Sequence, residues 1–406
     1  MSNPIKNKRI VLGVTGSIAA YKAATLSSKL SQAGALVDVI LTQSAAKFIT
    51  PLTFQSVTGR KAYIEDDLWG SEGHVTHIAL GHEANLLVIA PASANTIAKL
   101  ANGIGDNLLT VTALAAACPI LIAPAMDAGM FGHPATQTNV KTLKSRGVAL
   151  IGPEPGHLAS GLTGLGRMSE PEEIESKIRF LLGRTGPLAG KRIVVSAGRT
   201  EEAIDPVRFI TNHSSGKQGY AVAQAALDAG ADVTLISGPT VLTPPLGVSF
   251  IPVQSAEQML NAILTAIPAT DALIMTAAVA DFQPEEYSTS KIKKDKNLAS
   301  IKLKPTTDIL KQVGLLKQES GLPKFVIGFA AESEDLLKNA TIKLKNKQLD
   351  LIVANDITRQ DAGFGSETNL VTFIFADGTT QELPKLSKYD VAEKLIQQVT
   401  AWILEE

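Results

Sequence analysis

The sequence predicts an α/β protein built from two doubly wound domains, each with a parallel sheet. A strand-loop-helix order recurs twice and starts from nearly the same residues, KRIVLGVTGS at 8–17 and KRIVVSAGRT at 191–200. The strands are continuous apolar runs, which is typical of parallel sheets covered by helices on both faces. The length of 406 residues corresponds to two or three domains of about 100 to 200 residues each.

The elements of the two halves follow in the same order. The first helix of each half ends in Ala-Gly-Ala and leads into a second strand, LVDVILT or DVTLISG. The later strands of the two halves also correspond in order: ANLLVIAPASA corresponds to DALIMTAAVAD, PILIAPAM to KFVIGFAAES, and GVALIGPEPG to LDLIVAND. A Gly- and Pro-containing stretch at 182–190 predicts a boundary between domains 1–186 and 187–406. Ligands of such sheets bind beyond the carboxyl ends of the strands, so functional residues are expected at those ends.

Composition and charge exclude several classes of protein. A net charge of −1 gives no electrostatic reason to expect nucleic acid or an anionic membrane as partner. The one cysteine, Cys118, allows neither a disulfide nor a cysteine-based metal site within the chain and fits a cytoplasmic location. The first apolar run is too short for a signal peptide.

One uncharged run, 108–126, is long enough to raise the question of a membrane span. Pro119 and Pro124 interrupt it. A small-residue helix followed by a buried strand explains the same residues, and we expect that arrangement.

The loop after the first strand places Gly13, Gly16 and Ser17 at the start of a helix, where free backbone amides favour a phosphate. The sequence is not Gly-x-Gly-x-x-Gly, so the usual dinucleotide pattern is absent. The hydroxyls of Thr42 and Ser44, after the second strand, could complete a phosphate site. An ordinary strand-helix turn explains these residues as well.

The stretch 90–110 carries small residues together with Ser93, Asn95, Asp106 and Asn107. Small side chains let a flat ring approach the backbone. The alternative is tight packing between strand and helix, with Asp106 as a helix N-cap.

Three histidines, His74, His77 and His82, lie close together before the third strand of the first half. A zinc site would need three or four ligands in a defined geometry, and no cysteine is near. A metal site, a solvated cluster and a catalytic histidine all remain open from the residues alone.

The first half resembles the flavin-containing cysteine decarboxylases over residues 5–180. The resemblance lies in GVTGSIAAYKA, TQSAAKFITP, HIALGHEANLLVIAPASANTIAKLANGIGDNLL and APAMDAGMFGHPATQTN. It implies a Rossmann-like subunit that binds FMN and assembles into trimers, with the flavin at the subunit interface. It also implies a catalytic role for His77 and cofactor contacts from Gly16, Ser17, Ile18, Thr42, Ser44, Ser93 and Asn107.

The reaction implied by this family oxidises a substrate thiol to a thioaldehyde, releases carbon dioxide and reduces the resulting enethiol, which requires a proton donor. The family's substrate motif Pro-x-Met-Asn-x-x-Met corresponds to Met126, Asp127 and Met130, with aspartate in place of asparagine. Its flap sequence Ala-Cys-Gly corresponds to Ala-Ser-Gly, so Ser160 occupies the position of the proton donor. A serine hydroxyl is a poorer acid than a thiol, whose reference pKa is about 8.5.

The flap segment GHLASGLTGLGRM, residues 156–168, follows neither a helical nor a strand period and contains four glycines. We therefore expect a mobile loop that closes over the site.

In the second half, Gly216, Lys217 and Gly219 lie at a predicted helix start, with Arg208 and Asn212 just before it. Nucleotide binding and simple packing explain this pattern about equally well. The spacing of Tyr287 and Lys291 is that of short-chain dehydrogenases, but that chemistry needs both side chains on one helical face. Pro284 and a Ser/Thr-rich run argue against a helix there.

A run of lysines follows, at positions 291, 293, 294, 296, 302 and 304. It fits a solvated segment or a site that neutralises a polyphosphate.

The second half resembles the phosphopantothenate-cysteine ligases over residues 190–400. The resemblance lies in DPVRFITNHSSGKQGYAVA, MTAAVADFQPEEYSTSKIKKD, LKPTTDIL, GFAAES and IKLKNKQLDLIVAND. It implies that CTP, with Mg²⁺, activates 4'-phosphopantothenate as an acyl-cytidylate, which L-cysteine attacks with loss of CMP. The catalytic and substrate-binding positions that it implies are Asn212, Lys291, Arg208, Ala278, Asp281, Thr307, Asp308, Ile309, Leu310, Phe329, Lys343 and Lys347. The residues that would hold the metal stay unknown.

Together the two resemblances imply two consecutive steps of coenzyme A synthesis in a homo-oligomer, with trimers of the first domain and dimers of the second. The loop SAGRTEE departs from the usual order by placing Arg199 before Thr200. A rival hypothesis is a flavin- and nucleotide-binding regulator whose first half is inactive, because Asp127 and Ser160 both depart from the family pattern.

Overall fold

The structure is a computed structural model that describes residues 3–69, 75–293, 300–332, 335–356 and 366–405. The chain divides into two compact units, 2–182 and 183–406. The division falls at the start of the Gly- and Pro-containing stretch 182–190.

The first unit contains a six-stranded sheet in the order β3-β2-β1-β4-β5-β6, in which all pairings are parallel. Its strands are β1 Arg9–Val14, β2 Leu36–Leu41, β3 Ala62–Tyr63, β4 Leu86–Ala92, β5 Ile120–Pro124 and β6 Ala149–Leu150. The order reverses between β1 and β4, which places a crevice beyond their carboxyl ends.

Helices cover both faces of this sheet. They are α1 Ala20–Gln32, α2 Pro51–Thr58, α3 Thr76–Glu83, α4 Ala94–Asn102, α5 Leu108–Ala115, α6 Ala128–Gly132, α7 Pro134–Ser145 and α8 Pro171–Gly183. Ile10 and Leu12 of β1 enter one apolar cluster with α1, whereas Val11 enters the other with α5. Burial on both faces explains why the strands are continuous apolar runs. The uncharged run 108–126 forms α5 and β5, as expected.

The flap segment differs from the loop that we expected. It forms an antiparallel hairpin, β7 Glu154–His157 and β8 Thr163–Arg167, with 158–162 as its turn. A Cβ at Gly166 would lie 2.2 Å from the Met126 carbonyl oxygen, and one at Gly164 would lie 2.6 Å from Ala128 Cβ. The glycines therefore allow the hairpin to lie directly against the start of α6, which a sequence period cannot reveal.

The second unit contains an eight-stranded sheet in the order β13-β12-β9-β14-β17-β18-β20-β21. Six strands are parallel, namely β9 Arg192–Ala197, β12 Asp232–Ser237, β13 Ser249–Pro252, β14 Ala272–Met275, β17 Phe325–Glu332 and β18 Leu351–Asp356. The strands β20 Val371–Phe375 and β21 Thr380–Glu382 extend the sheet in antiparallel fashion. The α/β class is confirmed, but this edge makes the second sheet mixed.

Three small two-stranded sheets flank the second unit. They are β10 Glu201–Ala203 with β11 Phe209–Thr211, β15 Phe282–Pro284 with β16 Leu303–Pro305, and β19 Thr368–Asn369 with β22 Leu386–Ser387. The helices are α9 Lys217–Asp228, α10 Ala256–Ala266, α11 Ile309–Ser320, α12 Leu336–Asn346 and α13 Lys388–Glu405. Within the described ranges, no helix combines the length and the apolar character needed to cross a membrane.

Candidate functional site

The first unit has a cavity of about 720 Å³ beyond the carboxyl ends of β1, β4 and β5. It brings together residues that are far apart in the sequence. The predicted site residues that line it are Gly16, Ser17, Ile18, Ser93, Met126, Asp127, Met130 and Ser160.

Hydrogen bonds fix the loops around this cavity. Thr15 Oγ1 donates to the Pro91 carbonyl at 2.7 Å and accepts from Ser93 N at 2.9 Å, which ties the end of β1 to the end of β4. The Ser93 side chain caps α4 by accepting from Thr96 N. Ser17 Oγ accepts from Ala19 N at 3.2 Å, just before α1 begins.

Gly16 is required by the close approach of its loop to the loop after β2. A Cβ at this position would lie 2.5 Å from Ser44 Cβ. Thr42 and Ser44 do not line the cavity; Thr42 Oγ1 accepts from Ala45 N at 3.2 Å. The loop after β2 therefore packs against the Gly16 loop without lining the cavity.

The two residues that depart from the decarboxylase pattern contact each other. Ser160 Oγ donates to Asp127 Oδ2 at 2.7 Å, and Gly129 N donates to Asp127 Oδ1 at 2.9 Å. The Ser160 hydroxyl and the Gly129 amide hold the pKa of Asp127 below its ordinary value. Asp127 is thus ionised at neutral pH, and the Ser160 hydrogen points to it when the flap lies over the cavity.

Charged residues at the base of the flap also line the cavity and were missed by the sequence analysis. Lys22 Nζ, on α1, donates to the Met168 carbonyl at 3.1 Å and to Glu170 Oε1 at 2.9 Å. Arg167 pairs with Glu170 as well. The side-chain hydrogen bonds from Lys22 and then Arg167 lower the pKa of Glu170. Lys22 lies in the family sequence GVTGSIAAYKA, so the motif could have indicated it as a site residue.

His77 lies on α3 and does not line the cavity of its own chain. Its Nδ1 atom is buried and has no hydrogen-bond partner. His82, on the same helix, is exposed, and His74 lies outside the described residues. Among the residues that the structure describes, no group of three or more His, Cys, Asp or Glu could hold a metal ion.

Asn107 also lies away from the cavity. Its side chain caps α5 by accepting from Thr110 N at 3.0 Å. The prediction that Asp106 caps this helix is wrong. Asp106 lies one residue before the cap, and it forms an ion pair with Lys99 at 2.7 Å instead.

The second unit has a cavity of about 670 Å³ at the carboxyl edge of its parallel strands. Most of the predicted ligase residues meet there. Those that line the cavity are Asn212, Ala278, Asp281, Thr307, Asp308, Ile309, Leu310, Phe329, Lys343 and Lys347.

The start of α9 lies close to the strand ends because two glycines permit it. Gly216 adopts a φ of 76°, in the left-handed region, at the N-cap. A Cβ at Gly219 would lie 2.4 Å from Thr276 Oγ1. Asn212 Nδ2 donates to the Val279 carbonyl at 3.0 Å, which joins the loop before α9 to the loop after β14.

Four lysines line this cavity, at positions 217, 343, 347 and 388. Lys347 Nζ lies 3.4 Å from Asp308 Oδ2, and Lys388 Nζ donates to Asn369 Oδ1 at 3.3 Å. Burial, and then the charge of Lys217, lowers the pKa of Lys388. Such a concentration of cations suits a ligand with several negative charges.

Three lining residues, Lys388, Asn369 and Asn355, were not predicted from the sequence. Asn355 lies on β18, and its Oδ1 atom is buried without a partner. Asn355 belongs to the family sequence LDLIVAND, so the motif could have indicated it as a site residue. Asn369 lies on β19 and Lys388 begins α13, and both come after the last βα repeat of the predicted pattern.

Arg208 and Lys291 do not line the cavity. Arg208 Nη2 donates to the Ile292 carbonyl at 3.0 Å. Tyr287 and Lys291 are not on a helix, so they lack the geometry of a dehydrogenase pair. Lys294 and Lys296 of the lysine run lie outside the described residues.

Two α/β units, each with a ligand-sized cavity at the carboxyl edge of its sheet, define a two-site α/β protein of the kind that binds small molecules at strand ends. The family model named Flavoprotein matches residues 1–183, and the DNA/pantothenate metabolism flavoprotein C-terminal domain matches 188–403. The coenzyme A biosynthesis bifunctional protein CoaBC of Bacillus subtilis (strain 168) is 48% identical over 400 residues, 98% of each chain. The chain belongs to this family of bifunctional coenzyme A biosynthesis proteins.

Two solved structures are also similar to parts of the chain. The C-terminal domain of a CoaBC protein is 41% identical and covers 55% of this chain and all of its own, with a TM-score of 0.47. The FMN-dependent cysteine decarboxylase SpaF is 34% identical and covers 44% of this chain and 97% of its own, with a TM-score of 0.38.

Proposed function

We propose that the chain catalyses two consecutive steps of coenzyme A biosynthesis. The second unit joins 4'-phosphopantothenate to L-cysteine with CTP, and the first unit decarboxylates the product to 4'-phosphopantetheine. The observation that carries this proposal is that most of the predicted family residues of each half line one cavity. The full-length likeness to CoaBC proteins supports both halves together.

In the ligase step, the lysines of the second cavity would bind the CTP triphosphate together with Mg²⁺. Magnesium commonly bridges phosphates with few protein ligands, so the small number of acidic residues in this cavity fits it. Asn212 would contact the acyl-cytidylate intermediate, and Ala278 and Asp281 would contact the nucleotide. Positioning and charge neutralisation suffice here, because the substrate carboxylate and the cysteine amine are the nucleophiles.

In the decarboxylation step, FMN would supply the oxidation of the substrate thiol and the later reduction. The first cavity fits this cofactor, because the Gly16 loop leaves no room for a Cβ and the amides before α1 suit a phosphate. Met126 and Met130 would contact the substrate, and Asp127 with Ser160 would keep the flap over it. Ser160 would deliver the proton to the enethiol.

His77 does not line the cavity of its own chain, so assembly is part of this proposal. We infer trimers of the first domain, in which His77 of the partner subunit completes the site, and dimers of the second domain. The unpartnered Nδ1 atom of His77 supports a role for it at such an interface. The enzyme would act in the cytoplasm.

Flavin content and CMP release test the two halves separately. The purified chain should show a flavin absorbance band that is released on denaturation. It should also release pyrophosphate when CTP and 4'-phosphopantothenate are present, and CMP only when L-cysteine is added as well. A chain that binds flavin and CTP but turns over neither substrate would support the regulator hypothesis instead.

Replacing Gly16 by alanine is expected to abolish flavin binding, because the new Cβ would lie 2.5 Å from Ser44 Cβ. Flavin absorbance per chain measures this. Gly132→Ala is the matched control, because no atom lies within 4 Å of a Cβ at that position. Flavin retained at wild-type level by Gly16→Ala would contradict the placement of the cofactor.

Replacing Ser160 by alanine is expected to shift the product from the saturated to the unsaturated thiol, since the hydroxyl that protonates the enethiol is removed. Ser160→Cys should restore and increase the saturated product, because a thiol is the stronger acid. Product masses distinguish the two thiols. Thr163→Ala, an exposed change on the same hairpin, should leave the ratio unchanged. An unchanged ratio in Ser160→Ala would show that the proton comes from another group.

A further inference from the structure

One buried carboxylate joins two segments that carry predicted ligase residues. Asp205 lies in the turn between β10 and β11, and its side chain has no exposed surface. Asp205 Oδ1 accepts from Val207 N at 2.8 Å and from Arg208 N at 2.9 Å. These bonds fix the turn that leads through β11 to Asn212.

The other oxygen of Asp205 reaches a distant part of the chain. Asp205 Oδ2 accepts from Ile292 N at 3.2 Å, and Arg208 Nη2 donates to the Ile292 carbonyl at 3.0 Å. Ser288 N donates to the Ile204 carbonyl at 3.1 Å. The arm segment, residues 287–293, is therefore tied to this turn by the peptide groups on both sides of Ile292. Lys291 is its immediate neighbour.

The carboxylate is built to remain ionised. Burial alone would raise the pKa of Asp205, but three backbone amides and the Arg208 guanidinium outweigh that effect and keep it below its ordinary value. A carboxylate that accepts several backbone hydrogen bonds is a strong and directional anchor. Neither Asp205 nor Ile292 lines the cavity, so this anchor does not contact a ligand there.

We infer that Asp205 is a positioning residue of the ligase step, which holds Lys291 through the Ile292 amide and Asn212 through the β10–β11 turn. The inference rests on the proposed ligase function. Lys291 is exposed and lies on an irregular segment, so no helix or strand would otherwise fix its place. Because misplacement by about 1 Å can cost about 10²-fold in rate, one anchor for both residues has a large kinetic effect.

The variant Asp205→Asn tests this inference in the full-length chain, because it keeps the shape but replaces an acceptor by an amide. We expect kcat for CMP release to fall by about 10²-fold with KM for CTP within about twofold. We also expect faster cleavage by trypsin after Lys293 in the absence of substrates. Decarboxylation of supplied phosphopantothenoylcysteine should be unchanged, which confines the effect to the second unit, and the retained KM for CTP shows that this unit is folded.

Asp377→Asn is the matched control. Asp377 also accepts a backbone amide in a turn, from Thr379 N at 2.8 Å, but it lies between β20 and β21. It should change neither CMP release nor trypsin cleavage after Lys293. An equal loss in both variants would overturn the inference by showing a general loss of stability in the second unit.

Ile292→Pro provides an independent test, because proline lacks the N–H that donates to Asp205 Oδ2, while Asp205 itself is unchanged. The same loss of kcat is expected, and the double variant should be no slower than the slower single variant. If Asp205→Asn does not fold, Ile292→Pro alone decides. Wild-type kcat in either folded variant, or multiplied losses in the double variant, would overturn the inference. Absence of CMP release from the wild-type chain would instead overturn the proposed ligase function.

Discussion

Replacing His77 by alanine is expected to lower the decarboxylation rate by about 10²- to 10⁴-fold, the usual contribution of a general acid or base. CMP release should stay at wild-type level, because the ligase residues lie in the second unit. Phosphopantothenoylcysteine would then accumulate and can be measured by mass. The buried Nδ1 atom without a partner is the structural reason to expect an effect at this position.

His82→Ala is the control for this variant, because His82 lies on the same helix and is exposed. Co-expression of His77→Ala with Gly16→Ala chains tests the composite site. Each homo-oligomer should be inactive in decarboxylation, whereas mixed trimers should regain part of the activity. Full activity in His77→Ala would contradict the role of this histidine, and no recovery on mixing would contradict its contribution across subunits.

Replacing Asn212 by aspartate is expected to lower CMP release by about 10²- to 10³-fold, the cost of losing one positioned donor in a site that stabilises charge. The change removes the hydrogen bond from Asn212 Nδ2 to the Val279 carbonyl. It also places a negative charge in a cavity that would bind an anionic substrate and a triphosphate. Decarboxylation of supplied phosphopantothenoylcysteine should be unchanged.

Asn261→Asp is the matched control for charge, because it makes the same change on the exposed face of α10. It should leave both activities at wild-type level. CMP release at wild-type level in Asn212→Asp would contradict the assignment of this residue to the ligase site.

The α/β class and the strand sequence of both units follow from the sequence because buried parallel strands are continuous apolar runs. The antiparallel edge of the second sheet did not follow, since β20 and β21 come after the last βα repeat. The flap hairpin was missed for another reason. Its glycines are selected by close contact with Met126 and Ala128, and only the folded chain reveals that contact.

The candidate sites were predicted in part. Motif residues that follow a strand of the parallel sheet, such as Ser17, Ser93 and Ala278, line the cavities, because strand ends converge at one edge. Asp127 and Ser160 each depart from the family pattern, but the sequence does not show that the two side chains contact each other. Only the structure shows their hydrogen bond.

Cys118 cannot substitute for the missing flap cysteine. It precedes β5 at its amino end, whereas the cavity lies beyond the carboxyl end of that strand, about 17 Å away for five residues. Burial also raises the pKa of the Cys118 thiol, which weakens it as an acid.

The central claim is that one chain performs both steps in sequence. Its most direct test is to incubate the purified protein with 4'-phosphopantothenate, CTP, Mg²⁺ and L-cysteine labelled with ¹³C at the carboxyl carbon. We expect one labelled carbon dioxide for each CMP, together with unlabelled 4'-phosphopantetheine. CMP without labelled carbon dioxide would show that the first unit is inactive as a decarboxylase, and formation of neither product would contradict the account as a whole.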